Sequence, residues 1–291
     1  MINIKKAKFE HFEDIYILLK QLGNNNIKKN DWKNIFVNHF NSGENYFGYI
    51  LIDDNKIKGF IGLIISKRFI NNQQIKFANI GNWIVEKKYR NKSINLLLPI
   101  LKMKNVILTN FTASSTVSSI LKTLNFNELG DSFYIIPPLP TLSKYFMKNN
   151  YKIFYNKSVK EKLSLVEKNI YKDHSKPDFN INHILIKNDS VDCYIIAKKA
   201  YRNKMPFLHI LYISNPKIFN NSIHIFKLAI AIKFQVVSLI IDERLLRKEK
   251  IKFAFSYKLQ SPRFYKLNGI NYFNELEYLD HLYSEFILLS I

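Results

Sequence analysis

Cysteine is nearly absent from this 291-residue chain: Cys193 is the only one. A single thiol excludes an internal disulfide framework and any metal cage built from cysteine alone. Long apolar runs are missing too. The best candidate, Ile223 to Ile241, is interrupted by His224, Lys227, Lys233 and Gln235, so no stretch supplies the roughly 18 apolar residues a membrane span needs. The opening Met1-Ile-Asn-Ile-Lys-Lys runs into mixed polar sequence without the apolar core or cleavage site of a signal peptide. These absences predict a cytoplasmic protein with no membrane span. Acidic residues number 23 against 44 basic ones, for a formal charge of +21. Arginine is scarce, however: Arg68, Arg90, Arg202, Arg244, Arg247 and Arg263 stand against 38 lysines. Base readout favours the arginine fork, and the lysines are scattered, with no basic arm. The charge therefore argues against nucleic acid and for attraction of a small polyanionic ligand.

What is present is enough for two domains. The length suits two units of about 100–150 residues each. Ile2–Ala7 reads as a strand. Phe9–Leu22 reads as an amphipathic helix with Phe12, Ile15, Leu18 and Leu19 on one stripe, ended by Gly23. A second helix is expected over Lys29–Asn41. Tyr46–Asp53 and Lys58–Ser66 form a hairpin around Asp54-Asn55. Lys76–Val85 is a strand, Lys92–Lys102 a helix, Asn105–Thr112 a strand, Val117–Leu124 a short helix and Asp131–Ile136 a strand. Pro137, Pro138 and Pro140 then interrupt any ladder or helix, which sets the expected domains at 1–140 and 141–291. The second half repeats the order. Val159–Tyr171 reads as a helix, Val191–Ala200 and Phe207–Ser214 as strands, Asn221–Phe234 as a helix and Val236–Asp242 as a buried-type strand. Arg263–Leu267 and Tyr272–Tyr278 supply further short elements. The expected fold class is α/β, two tandem copies of one architecture.

The chemistry concentrates at Gly81-Asn-Trp-Ile-Val-Glu-Lys-Lys-Tyr-Arg-Asn-Lys-Ser-Ile-Asn-Leu-Leu. A buried strand runs through a basic turn into an amphipathic helix. The first amides of such a helix lack internal partners and, with the helix dipole, favour an anion. Arg90 and Lys92 add positive charge, and Ser93 adds a hydroxyl donor.

This stretch resembles the GNAT N-acyltransferase superfamily, whose central motif reads Val-x-Pro-x-Tyr-Arg-Gly-Lys-Gly-Ile-Gly followed by two aliphatics. Val85, Tyr89, Arg90, Lys92, Ile94, Leu96 and Leu97 match it, and Asn91, Ser93 and Asn95 replace the three glycines. Asparagine tolerates the left-handed backbone region better than most residues, so the turn is expected to persist. The resemblance implies mixed, mostly antiparallel twisted sheets flanked by helices. It implies acyl-CoA as co-substrate, without a metal, bound by Trp83, Val85, Tyr89, Arg90, Asn91, Lys92, Ser93, Ile94 and Asn95. The fourth and fifth strands would splay, and the backbone of Trp83 and Val85 would pair with the pantetheine arm as a peptide adds to a sheet edge. Ile120-Leu-Lys-Thr-Leu-Asn-Phe126 resembles the family's later helix and puts Leu121 where many members keep a tyrosine acid. Asn79 stands where some members carry a carboxylate base.

With no base at Asn79, the second half is the place to look for one. His209, on the second copy's equivalent of the fourth strand, and Asp242, at the end of its fifth, are the catalytic candidates. Ile213-Ser-Asn-Pro216 replaces the basic turn there, so the second copy is expected to have lost CoA and to shape the acceptor site. The acceptor would be the amine of a nucleotide-linked amino-dideoxy sugar, by analogy with two-domain members that acylate such sugars. A peptide acceptor and a non-catalytic binding module are the alternatives. Each site residue also has a plainer reading. Tyr89–Asn95 alone would be a basic helix start, His209 a hydrogen-bonded core histidine, and Asp242-Glu-Arg244 a solvated strand exit. Ser114, Ser115, Ser118 and Ser119 lack a nucleophile elbow, and no His/Asp/Glu cluster has metal-ligand spacing.

Overall fold

The computed structural model of the protein describes residues 2–23, 27–70, 73–139, 151–202, 204–247, 249–251, 253–270 and 279–289. Among them no helix is long and apolar enough to cross a membrane. They group into two compact units. The first holds residues 2–130, 260–270 and 283–289, and the second holds 131–259 and 279–282.

The first unit opens with β1 (Asn3–Lys6) and α1 (Phe12–Leu19). Phe12, Ile15, Leu18 and Leu19 are the buried stripe. Single 3₁₀ turns extend α1 to span Phe9–Leu22, and Gly23 ends it at φ 74, where a side chain would be strained. The second helix is shorter than expected: α2 (Lys29–Lys33) and a 3₁₀ turn end at Phe36. The Asn38 side chain explains the stop. It accepts from Ser42 and donates to the Glu44 carbonyl, organising a loop in place of a helical turn. β2 (Gly48–Asp53) and β3 (Lys56–Ile70) follow. Asp54 and Asn55 both have positive φ, as a two-residue hairpin turn requires.

β4 (Gln73–Val85), α3 (Ile94–Leu101), β5 (Val106–Asn110) and α4 (Ser115–Thr123) complete the first run. β4 and β5 are parallel, so α3 serves as their crossover. Its buried face, Leu96, Leu97 and Ile100, packs on Ala78, Ile80 and Leu108.

β6 (Asn127–Ile136), β7 (Lys152–Tyr155), α5 (Leu165–His174), β8 (Ile181–Lys187), β9 (Asp192–Arg202), β10 (Met205–Ile213), α6 (Pro216–Phe234) and β11 (Ser238–Asp242) come next. α5 begins later than Val159 because Ser164 and Glu167 form a capping box, which satisfies two first-turn donors. α6 begins five residues earlier than expected. Asn215 caps the Ile218 amide at 3.1 Å and Pro216 stands at its first position. Phe219, Ile223 and Ile230 of α6 pack over β8–β11. The chain ends with β12 (Phe255–Asn268) and α7 (Glu285–Leu288). The short element expected over Tyr272–Tyr278 lies outside the described residues.

The strands of the two units repeat one pattern. In the first unit the order is β1-β2-β3-β4-β5-β12, with β4/β5 the one parallel pair. In the second it is β7-β8-β9-β10-β11-β6, with β10/β11 parallel. Each unit takes its sixth strand from the far half of the sequence. Phe264–Asn268 of β12 pair with β5, and Phe133–Ile136 of β6 pair with β11.

Candidate functional site

The β4/β5 ladder runs from Lys76↔Val106 to Asn79↔Thr109 and stops there. β4 continues to Val85, still paired with Gly59 of β3. Residues 80–85 therefore have no partner in β5. A bulge marks the point where β4 leaves the ladder. Between the pairs Gly62↔Gly81 and Phe60↔Ile84, Ile61 faces both Asn82 and Trp83, and Asn82 takes φ 52. The extra residue bends the strand. Trp83 and Val85 pack partly buried on the first unit's core. The indole nitrogen of Trp83 is buried with no partner among the described residues.

Beyond β4 the chain forms a 3₁₀ helix at Lys87–Lys92 that leads through Ser93 into α3. The hairpin beside it holds this turn in place. Lys58 pairs with Glu86 at 3.1 Å, the Glu86 amide donates to the Lys58 carbonyl, and the Tyr89 hydroxyl donates to Asp53 at 3.0 Å. That bond to Asp53 raises the Tyr89 pKa and commits the hydroxyl to the scaffold. Arg90, Asn91 and Lys92 are exposed, and Ser93, Ile94 and Asn95 half-buried. Arg90 and Lys92 have no ion-pair partner among the described residues. Neither Asn91 nor Asn95 has positive φ, so the asparagines do not serve the left-handed conformation expected of them. The asparagine that adopts it is Asn82, one strand earlier. Ser93 makes no side-chain cap. The corresponding helix start in the second unit is closed: Asn215 fills an amide of α6 and Pro216 has none to offer. Leu121, on α4, is fully buried in the core.

One residue at this site had no signal in the sequence. Glu285, at the start of α7, is 2% exposed, and its carboxyl meets the end of the β4/β5 ladder. The Asn79 amide donates to Oε2, and the Thr112 hydroxyl donates to Oε1 at 2.5 Å. Thr109 in turn donates to the Asn79 amide oxygen at 3.1 Å. Gly81 lies alongside: a Cβ built there would stand 3.6 Å from the Glu285 carboxyl. Burial raises the Glu285 pKa against the opposing pull of these hydrogen bonds. Glu285 lies 206 positions from Asn79, in the four-residue helix Glu-Phe-Ile-Leu, too short to carry a periodic signature.

His209 and Asp242 lie in the second unit and are linked through His281. The His209 and His281 rings are 5.7 Å apart, and His281 Nε2 lies 3.1 Å from Asp242 Oδ2. Asp242 is fully buried. Arg244 Nε reaches both its oxygens at 3.1 Å, Nη2 reaches Oδ2 at 2.5 Å, and the Arg244 amide donates to Oδ1 at 2.9 Å. Arg244 also donates to the Leu279 carbonyl. A carboxylate so occupied organises the strand exit and the 279–282 segment. No group of three His, Cys, Asp or Glu residues suited to a metal occurs among the described residues.

No protein-family model matches this sequence, and no curated protein matches it. Solved structures do match. A GCN5-related N-acetyltransferase from Anabaena variabilis ATCC 29413 superposes with a TM-score of 0.58 at 14% identity, over 92% of this chain and 73% of that one. A probable N-acyltransferase from Enterococcus faecalis V583 gives 0.57 at 12%, over 92% and 73%. Saccharomyces cerevisiae N-myristoyltransferase with bound myristoyl-CoA gives 0.50 at 10%, over 97% and 84%. The fold is thus that of the GCN5-related N-acetyltransferases: mostly antiparallel sheets flanked by helices.

Proposed function

We propose that this protein is an acyl-CoA-dependent N-acyltransferase. The observation that carries the reading is the β4/β5 ladder ending at Asn79↔Thr109, with an exposed Arg90–Lys92 turn where β4 ends. An unpaired strand edge offers amides and carbonyls to an extended amide-bearing chain, and the pantetheine arm is such a chain. In this reading the backbone of Trp83 and Val85 pairs with pantetheine. Arg90, Lys92 and the Ser93 hydroxyl take the pyrophosphate, since the Ser93 amide already donates to the Arg90 carbonyl. Tyr89 acts through its bond to Asp53, holding the turn against the hairpin. The closed start of α6 leaves one CoA site per chain, in the first unit. The amine attacks the thioester directly, with no acyl-enzyme, and CoA leaves as the thiolate.

The acceptor we favour is a nucleotide-linked amino-dideoxy sugar, because a formal charge of +21 draws a diphosphate as well as CoA. The test crosses CoA thioesters with three amines: a dTDP-amino-dideoxy sugar, glucosamine and a short peptide with a free amino terminus. Thiol release and melting temperature are the readouts. A native-state ligand raises the melting temperature, so CoA thioesters are expected to raise it and the dTDP-sugar to give the fastest thiol release. Release with the peptide alone would move the reading to a peptide N-acyltransferase. A CoA-dependent shift with no release would leave a binding module.

A further inference from the structure

We infer that Glu285 takes the proton from the acceptor amine, with Asn79 and Thr112 as its positioning residues; this rests on the acyltransferase reading above. The hydrogen-bond directions carry the inference. Asn79 accepts from Thr109 through its amide oxygen, which turns its NH₂ toward Glu285. Thr112 donates to the other carboxyl oxygen. Three polar side chains of β4, β5 and the loop after β5 thus form a donor chain that converges on one buried carboxyl. A structural salt bridge would look different. Other glutamates of this unit show that form: Glu13, Glu44, Glu86 and Glu128 each pair with a lysine, Lys29, Lys76, Lys58 and Lys122 respectively. Glu285 has no cation beside it among the described residues. It has neutral donors, burial, and the bare backbone of Gly81 alongside.

The carboxyl is held where it is needed. Ser284 caps α7 through the Phe286 amide. The Tyr283 ring packs on Phe40, with centroids 4.9 Å apart, and under the Arg68 guanidinium at 4.7 Å. Ile287, Leu288 and Leu289 are buried. A carboxylate kept out of water and short of a counter-charge is a stronger base than a surface glutamate, even with the opposing pull of its neutral donors, consistent with the raised pKa. In the step assigned to it, the amine nitrogen forms the C–N bond to the thioester carbonyl. Its proton passes to Glu285, the C–S bond breaks, and the thiolate departs with the electron pair. Glu285 then releases the proton to water, from which the thiolate is reprotonated.

The test uses the full chain, acetyl-CoA and whichever of the three amines gives the largest thiol release. It compares wild type, Glu285→Gln, Glu285→Asp and the double variant Asn79→Asp/Glu285→Gln. Titration calorimetry reads CoA affinity, and the melting temperature reads folding. Glu285→Gln is expected to keep CoA affinity, lose about 100-fold or more in kcat/KM, and lose the rise of rate with pH that the wild type shows. Glu285→Asp and the double variant, which return a carboxylate to the cluster, should recover part of the rate. Thiol release by Glu285→Gln that matches wild type at every pH would overturn the role. So would a double variant that folds, binds CoA and recovers nothing. A wild type that binds no acetyl-CoA would overturn the acyltransferase reading itself, an outcome distinct from both.

Discussion

Glu285 carries a stability cost that depends on pH. Its ordinary pKa is 4.5, and burial raises it in the folded protein. Below about 4.5 the group is protonated in both states and its buried, neutral form is tolerated. As pH rises past that value the unfolded chain releases its proton while the folded chain holds on. The folded state then binds more protons, so stability falls with pH until the folded pKa is passed. We predict that the melting temperature of wild type falls relative to Glu285→Gln as pH rises above about 4.5. Melting both proteins across that range checks this. A difference that stays flat would mean Glu285 ionises in the fold as it does in water. At the same scale, Asn79 shows how much of the site was readable. The missing carboxylate on β4 was visible in the sequence, and so was the need for a replacement. His209 and Asp242 are the candidates the sequence offers, because both stand on strands that copy β4 and β5. In the structure Asp242 is bound to Arg244 and His281. Glu285, a lone acidic residue among phenylalanine, isoleucine and leucine, is proposed as the base from its tertiary partners alone.

Among the elements, those with a strong local period were legible. The α1 stripe, the Asp54-Asn55 turn and the buried β4 and β11 segments follow from alternation, helical spacing and turn chemistry. β7 has four residues, and β8 carries Asn182 and His183 among its isoleucines, so neither stood out from its surroundings. The exchange of β6 and β12 could not be read locally, because strand partners are chosen by the tertiary fold. That exchange has a consequence. A chain ended at residue 140 keeps β1–β5 but loses Phe264–Asn268, the antiparallel partner of β5, and with it α7. Phe264 is fully buried in the first unit's core. Truncating such a phenylalanine alone removes about 3–5 kcal/mol, against a total stability of about 5–15 kcal/mol for a domain. The 1–140 fragment is therefore expected to lack cooperative melting and dispersed amide resonances. A fragment with a sharp melt and a dispersed spectrum would show that β12 is dispensable to the first unit.

At the scale of the whole molecule, two repeats of one α/β pattern differ at the start of the crossover helix, where the proposed reading puts CoA. Both units keep a parallel pair with a helical crossover: β4/β5 with α3, and β10/β11 with α6. The first repeat follows β4 with an exposed cationic turn, while the second follows β10 with an asparagine cap and a proline. The large formal charge adds a general pull on polyanions that salt would screen, whereas the contacts assigned to Arg90 and Lys92 are local. The measurement that separates the two is titration calorimetry of CoA at moderate salt with wild type, Arg90→Ala/Lys92→Ala and His209→Ala. The account predicts saturable one-to-one binding by wild type and by His209→Ala. It predicts a loss of about 10-fold or more in affinity for the double variant, the scale of two charge-assisted contacts. No binding by wild type, or equal binding by all three proteins, would contradict it.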